Sequence, residues 1–581
     1  PYENGISIPN NLTRKKYIKK YWTTNIYTSY DFDINEEHNF TILAGMQFER
    51  GDESWVQGYK TDLISEKVPS FPTATGDALL SEALAHNATE SYFARLNYNY
   101  KEKYLFEANV RYDGSYVFRN GKRWGTFPSF SLGWNLYNES FWENIEPYVN
   151  TLKVRASWGQ LGNQNISPYS DLELIPISAD KLNWIFNYGS TRPVGYTSGP
   201  NLVNRNLTWE TATTTNVGMD LSFLNNRLSA TVDWFERRTI DMVGPSQAMP
   251  GVLGTSVPKE NNSTLRTRGW EISLNWKHAL ENGLSYNLGI SLYDYKSVVT
   301  KYFNPTGTLS TWYEGAEVGD IWGYTVNDLF RSQEDLDSYL SKVDMTHIAA
   351  NWNTGDLKYE DINHDGKVNN GTNTIGNHGD LSVIGNDQPH YQYTINGGVS
   401  YKGFDFSMLW RGVAKKDMYF YRGSNIYWGF MGGWWESCLT PEHLDYFRDQ
   451  PGSKYSGLYE GDANINTDAY WPRPYLNNTE EAKNKNHANT RYLQNAAYLR
   501  LQNVQLGYSF PRSITSKMHL EKLRIYFSGE NLLTFSKLPS GIDPVAPVGF
   551  PTGGEFFGTA GSGRLTYGAD RIYSIGLTVT Y

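Results

Sequence analysis

The stretch SYFARLNYNYKEKYLFEANVRYDGS, residues 91–115, decides the fold. Tyr92, Ala94, Leu96, Tyr98 and Tyr100 are apolar or aromatic, and Arg95, Asn97, Asn99 and Lys101 between them are polar. Past Lys101-Glu102-Lys103 the pattern resumes, with Tyr104, Phe106, Ala108, Val110 and Tyr112 set against Glu107, Asn109, Arg111 and Asp113. Successive side chains of a strand point to opposite faces, so this alternation gives one apolar and one polar face. A helix would scatter the same residues around a cylinder.

The same pattern runs through the rest of the chain. Leu152, Val154, Ala156 and Trp158 oppose Lys153, Arg155 and Ser157; Val217, Met219, Leu221 and Phe223 oppose Asn216, Gly218, Asp220 and Ser222. Beyond Asn225-Asn226, Leu228, Ala230, Val232 and Trp234 oppose Ser229, Thr231 and Asp233, and residues 389–412 read as a hairpin turning at Lys402-Gly403. The reading gives about fifteen strands. Links at 35–38, 101–103, 225–226, 281–283, 402–403 and 511–518 are short, and one at 139–149 is of medium length. Between them fall long links at 55–88, 114–125, 162–206, 244–262, 301–388, 418–490 and 533–563. In an antiparallel meander this alternation puts every tight turn at one end and every long loop at the other, as in outer-membrane barrels with short periplasmic turns and long external loops.

Composition agrees with that geometry. The 581 residues include 19 Trp, 43 Tyr and 26 Phe, yet mean hydropathy is −0.56. A lipid-spanning barrel turns only half of each strand outward and keeps its loops and interior polar, so a polar average is what it should show. A net charge of −9 argues against a nucleic-acid partner. The single cysteine, Cys438, has no partner for an intrachain disulfide. No apolar run approaches the length of a membrane helix. The opening PYENGISIPN reads as the middle of a longer polypeptide, with any targeting segment upstream.

Tyr92, Tyr100, Tyr104, Tyr112, Trp134 and Trp158 sit near strand ends, where interfacial aromatic belts form. Arg95, Arg111, Arg155, Asp220, Asp233 and Asp405 fall on the inner face, where they line a solute path or form ion pairs with a plug inside the barrel. The last strand, YSIGLTVTY, aims Tyr573, Ile575, Leu577, Val579 and Tyr581 at lipid and ends at the short-turn rim. Bacterial single-chain barrels carry even strand numbers, so about fifteen strands that begin at the external end do not close alone.

Several stretches resemble one family, the SusC-like (RagA-like) TonB-dependent outer-membrane transporters of Bacteroidota. They are residues 91–115, RWGTFPSFSLGWNL at 123–136, LKVRASWGQLGNQ at 152–164 and LTWETATTTNVGMDLSFLNNRLSATVDWF at 207–235. GDLKYEDINHDGKVN at 355–369, YLRLQNVQLGYSFP at 498–511, NLLTF at 531–535 and the last strand complete the set. The resemblance implies an all-β, transmembrane antiparallel barrel of twenty-two strands, of which residues 1–581 would be the C-terminal part, without the plug, the TonB box and the first strands. It implies TonB-dependent import of an oligosaccharide or oligopeptide by a SusCD-like complex. The implied partners are a SusD-like surface lipoprotein, TonB-ExbB-ExbD acting through the plug, the barrel-assembly machinery, outer-membrane lipid and a second SusCD unit. The terminal aromatic strand resembles the signal that the assembly machinery reads.

Two constellations stand apart from the strands. In DINHDGKVNN, Asp361, Asn363 and Asp365 occupy positions one, three and five of a calcium-like loop, with Gly366 at six and Lys367 at seven. Position twelve is Thr372 rather than Glu, so the EF-hand pattern fails, and Asp380 would have to supply the late carboxylate. Calcium in an external loop is one reading; an ion-free turn rich in Asp and Asn is the other. The aromatic segments at 315–324 and 427–438 offer Trp322, Trp428, Trp434 and Trp435, either as stacking surfaces for a ligand or lid or as loop packing. No HExxH, nucleophile elbow, P-loop or dinucleotide fingerprint occurs, and no cofactor is required. The rival is a soluble, aromatic-rich carbohydrate-active or carbohydrate-binding β-protein, whose apolar strand faces would meet inside a compact body.

Overall fold

The computed structural model describes residues 10–164, 166, 172–173, 177–178, 196–197, 202–246, 257–420, 425–431, 439–450, 465–475, 478–545 and 569–581. Its framework is one sheet of fifteen long strands, hydrogen-bonded in chain order. They are β1 (Asn11–Ile34), β2 (His38–Thr61), β3 (Ala78–Tyr100), β4 (Tyr104–Ser115), β5 (Trp124–Asn135), β6 (Val149–Asn163), β7 (Glu210–Phe223) and β8 (Leu228–Gly244). There follow β9 (Glu260–Ala279), β10 (Ser285–Lys301), β11 (His390–Tyr401), β12 (Phe404–Lys415), β13 (Tyr498–Ser509), β14 (Lys522–Ser536) and β15 (Ile572–Thr580). Short and long links alternate along it, as the sequence predicts. The tight turns use left-handed backbone: Lys402 and Gly403 stand at φ 49 and 90, the pairing that a two-residue hairpin with right-handed strand twist demands.

The chain divides into two compact units, residues 1–138, 155–215 and 237–264 in one and 139–154, 216–236 and 265–581 in the other. In the first, register aligns Met46 with Tyr92 and Tyr92 with Tyr112, and the apolar row along these strands is exposed or half-buried, with Met46, Tyr92, Tyr104, Val110 and Tyr112 open. Tyr112 and Tyr92 stack on Trp124 (ring centroids 4.7 and 6.1 Å), and at the other end Tyr104 stacks on Tyr100 and Trp134 (6.3 and 6.2 Å). Two aromatic belts thus bracket an apolar band. Tyr104 to Tyr112 is eight steps, roughly 27 Å of strand, enough to cross hydrocarbon at a tilt.

In the second unit Phe404, Phe406, Leu506, Ile525 and Phe527 are exposed alongside Ile575, Leu577 and Val579 of β15. Apolar rows that open to the surroundings are the reverse of what the compact soluble rival requires.

The buried core lies elsewhere. Within the second unit the described residues of the links 302–389 and 416–497 fold into a module of their own, with Leu329, Phe330, Leu357, Tyr359, Val368, Phe420, Trp428 and Tyr492 buried together. Small ribbons frame it: residues 320–324 pair with 381–386, 326–329 with 357–359, and 417–419 with 493–495. Helix α1 (Gln333–Leu340) starts at Ser332, whose side chain accepts the Asp335 amide, and seats Leu336 in the core. Helix α2 (Asn478–Lys485) carries Glu480 and Glu481 in its first turn and Lys483 and Lys485 in its last, the arrangement favoured by the helix dipole.

Candidate functional site

The polar face of the sheet is wired by charge and amide. In the first unit Arg95 Nε donates to Asn109 Oδ1 (2.8 Å), Asn109 Nδ2 donates to Glu107 Oε1 (2.7 Å), and Arg111 pairs with Asp113 (3.0 Å). These side chains, with Tyr27, Phe93 and Phe127, border a cavity of about 860 Å³. In the second unit Thr231 Oγ1 donates to Asp220 Oδ1 (3.2 Å), and Arg524 clasps Asp405 through two hydrogen bonds of 2.9 and 2.5 Å. Arg524 lies on β14 and Asp405 on β12, so the guanidinium passes over β13 at Gly507. A Cβ there would stand 2.5 Å from Arg524 Nη2 and 2.7 Å from both Asp405 oxygens.

Of the four tryptophans read as ligand or lid contacts, Trp322 is half-buried, donating its Nε1–H to Tyr313 Oη (3.2 Å) beside the His378 ring (5.6 Å). Trp428 needs correction. It is 0% exposed, donates to the Phe420 carbonyl (2.7 Å) and packs against Tyr492 and Trp471 (5.0 and 5.8 Å), so its ring is spent on the module's core and offers no surface. Trp434 and Trp435 lie outside the described residues.

The DINHDG loop folds on its own side chains. Asp361 accepts the Asp365 and Gly366 amides (3.2 and 2.8 Å), Asn363 Oδ1 accepts the Asp365 amide (2.9 Å), and Asp365 accepts the Lys367 amide (2.9 Å). Asp380 is fully buried and accepts the amides of Ile362, Asn363 and Asn369 (2.8, 3.4 and 2.8 Å). The structure therefore brings Asp361, Asn363, Asp365, Lys367 and Asp380 into one loop. Among the described residues no three Asp, Glu, His or Cys side chains gather in a way that could hold a metal ion.

Sequence reasoning missed the module's charged heart. Lys483 and Asp356, both fully buried, meet at 2.7 Å. Asp356 also accepts from Tyr475 Oη (2.8 Å), Asn484 Nδ2 (3.0 Å) and the Asn353 amide (2.8 Å). Lys483 donates in addition to the Asn351 carbonyl (2.9 Å) and lies over the Tyr475 ring (4.6 Å). Beside them Glu481 accepts the Tyr475 amide (2.8 Å) through one oxygen, while the other has no partner, and burial pushes its carboxyl up to about 8. Burial raises Tyr324 and Tyr339 to about 12. The segment NTEEAKNK is among the most polar in the chain, and nothing in its composition marks it as interior.

A family model described as "TonB dependent receptor-like, beta-barrel" matches residues 2–532. The chain belongs to that family. It is a SusC-like outer-membrane barrel. TonB-dependent receptor SusC of Bacteroides thetaiotaomicron is 26% identical over 559 residues, covering 93% of this chain and 49% of that protein. TonB-dependent receptor P3 of Formosa agariphila is 24% identical, with 90% and 49% covered. The solved RagAB peptide transporter matches with a TM-score of 0.73 at 20% identity over 98% of this chain and 56% of that one, a likeness of fold. The chain spans about half the length of the curated relatives it matches.

Proposed function

We propose that this SusC-like barrel is the membrane-spanning part of a TonB-dependent importer that takes up an oligosaccharide or oligopeptide together with a SusD-like surface lipoprotein. What supports this reading is the family match over residues 2–532, on strands that each expose one apolar row. The relative named SusC and the RagAB peptide transporter of like fold point to the same kind of assembly. In this reading the polar row around Arg95, Glu107 and Arg111 faces the passage, and the cavity there, about 860 Å³, falls in the range that takes small ligands. The cored module connects to the ends of β10, β11 and β12, and in this reading it forms part of the external surface that meets ligand and lipoprotein. In this reading TonB-ExbB-ExbD supplies the energy for uptake. The protein supplies binding and a route.

The test uses the full-length protein in its native outer membrane. Uptake of labelled oligopeptide and oligosaccharide pools is measured in the parent strain, a strain lacking this gene and a strain lacking TonB. Loss of one pool in both mutants is expected. Uptake unchanged in either mutant overturns the reading.

A further inference from the structure

The lipid-facing surface does not stop at the upper aromatic belt. β1 is 24 residues long, twice the 12 of β4. A bilayer crossing takes about 9–11 residues, so roughly half of β1 continues beyond the hydrocarbon. The continuation is the Asn11 end, because Ile34 leads into the tight turn at 35–37, the side taken by periplasmic turns.

Register fixes which way each residue of the continuation points. Ile26 pairs with Met46, and Met46 with Tyr92, so the even positions of β1 share the face of the lipid-facing row. Going outward from Ile26, that face carries Thr24, Trp22, Lys20, Ile18, Lys16 and Arg14, all exposed. Trp22 ends the aromatic row, and the next outward side chain on its face is a lysine.

The two faces of this segment treat their cations differently. On the odd face, Lys19 pairs with Glu53 (2.6 Å), Tyr17 donates to the same carboxylate (2.7 Å), and Lys15 lies over the Trp55 ring (3.9 Å). On the even face, Lys16 and Lys20 make no ion pair among the described residues. Asp52, directly across from Lys20, is already held by His86 (2.9 Å) and Arg50 (3.1 Å). Arg14 is committed to the Pro69 carbonyl (3.2 Å). Two ammonium groups therefore stand free, on the membrane side of the strand, just past the belt that marks the hydrocarbon boundary.

We propose that Lys16 and Lys20 bind the phosphate groups of phosphorylated glycolipid headgroups in the outer leaflet. The two lysines combine position with charge. The face is continuous with the lipid-facing surface, Trp22 sits where amphipathic rings prefer the interface, and the free cations lie at headgroup height. A charge-assisted bond to phosphate then forms without breaking an existing pair. The inference rests on the lipid-facing assignment of the strands and is independent of what the protein imports.

The experiment follows thermal unfolding of the detergent-solubilised full-length protein while diphosphoryl lipid A is added. The melting temperature should rise. It should not respond to the dephosphorylated lipid or to inorganic phosphate. In K16Q/K20Q the lipid concentration giving half the effect should increase by more than tenfold, from a roughly five-fold weakening per lysine near a charged surface. In K15Q/K19Q, on the other face, it should stay as in wild type. An equal response to dephosphorylated lipid, a response to inorganic phosphate alone, wild-type behaviour of K16Q/K20Q, or an equal loss in K15Q/K19Q overturns the proposal. Should K16Q/K20Q fail to assemble, wild-type titrations at low and high salt decide: a half-effect that moves to higher lipid with salt supports it, and one that does not move overturns it.

Discussion

Replacing Asp356 with Asn should unfasten the external module while leaving the membrane strands intact. Asp356 and Lys483 are both fully buried at 2.7 Å, a separation worth about 6 kcal/mol of attraction at an effective dielectric of about 20. Much of that attraction is cancelled by the cost of desolvating both ions, so the pair adds little net stability as a pair. Removing one charge is different. The Lys483 ammonium stays in the interior with only the longer, partly exposed pairing to Glu480 (3.3 Å), and the Tyr475, Asn484 and Asn353 donors face a weaker, partly mismatched acceptor. Breaking such a pair costs about 3–5 kcal/mol. The assay is hydrogen exchange on the full-length protein: protection of residues 326–330, 356–359 and 478–485 should fall by the equivalent of that amount, with β12 to β14 unchanged. The double variant Asp356→Leu/Lys483→Met should recover most of the loss, because no charge is then stranded. A single-variant loss below about 1 kcal/mol, or a double variant no better than the single, would refute the claim that the charge rather than the packing holds the site.

Other consequences are open to direct measurement. The Glu481 carboxyl is raised from 4.5 to about 8, so the folded module keeps its proton longer than the unfolded chain does. Its stabilisation is complete below about 4.5 and is lost as pH rises through about 8. Glu481→Gln should flatten this slope and raise the module's melting temperature above pH 8; a slope equal to wild type would count against the assignment. Val232→Arg, on the lipid-facing row of β8, should lower barrel stability by about 2–4 kcal/mol in a refolding titration. Thr231→Arg should be tolerated, since Asp220 lies 3.2 Å from the Thr231 hydroxyl and can pair with the new cation; equal losses would contradict the faces. Asp380→Ala removes the acceptor of three part-buried amides, at about 0.5–1.5 kcal/mol each, and should speed exchange across 361–369. Calcium or a chelator should leave the wild-type melting temperature unchanged, and a rise of several degrees with calcium would establish an ion in that loop.

What the sequence revealed and what it hid divide along a physical line. Period-two alternation is a one-dimensional signal, so Tyr92 to Tyr112, Val217 to Trp234 and Phe404 to Phe406 disclose their faces without knowledge of any neighbour. Turn and loop lengths are one-dimensional too, and they gave the order of fifteen strands. The module hides because its contacts are long-range. Asp356 and Lys483 lie far apart in sequence, and each segment alone reads as polar loop. Trp428 stays open between ligand contact and loop packing for the same reason: an aromatic in a long link has no local mark that separates a core ring from a binding ring, and only the arrival of Tyr492 and Trp471 from distant segments settles it. The two lysines free on β1 carry no mark in the strand alternation, and their inequality with Lys15 and Lys19 needs the register with β2.

Gly507 shows that an absent side chain can hold strands together. A glycine inside a strand is ordinarily a weakness. Here the vacancy is a doorway through which one guanidinium reaches a carboxylate two strands away. Filling the doorway with a single methyl would force Arg524 and Asp405 apart. A slip of β13 by one residue would bring Leu506 or Tyr508 to the opening and close it in the same way. The alignment of three neighbouring strands is therefore written twice, once in the backbone ladder and once in a gap that only the right alignment leaves open.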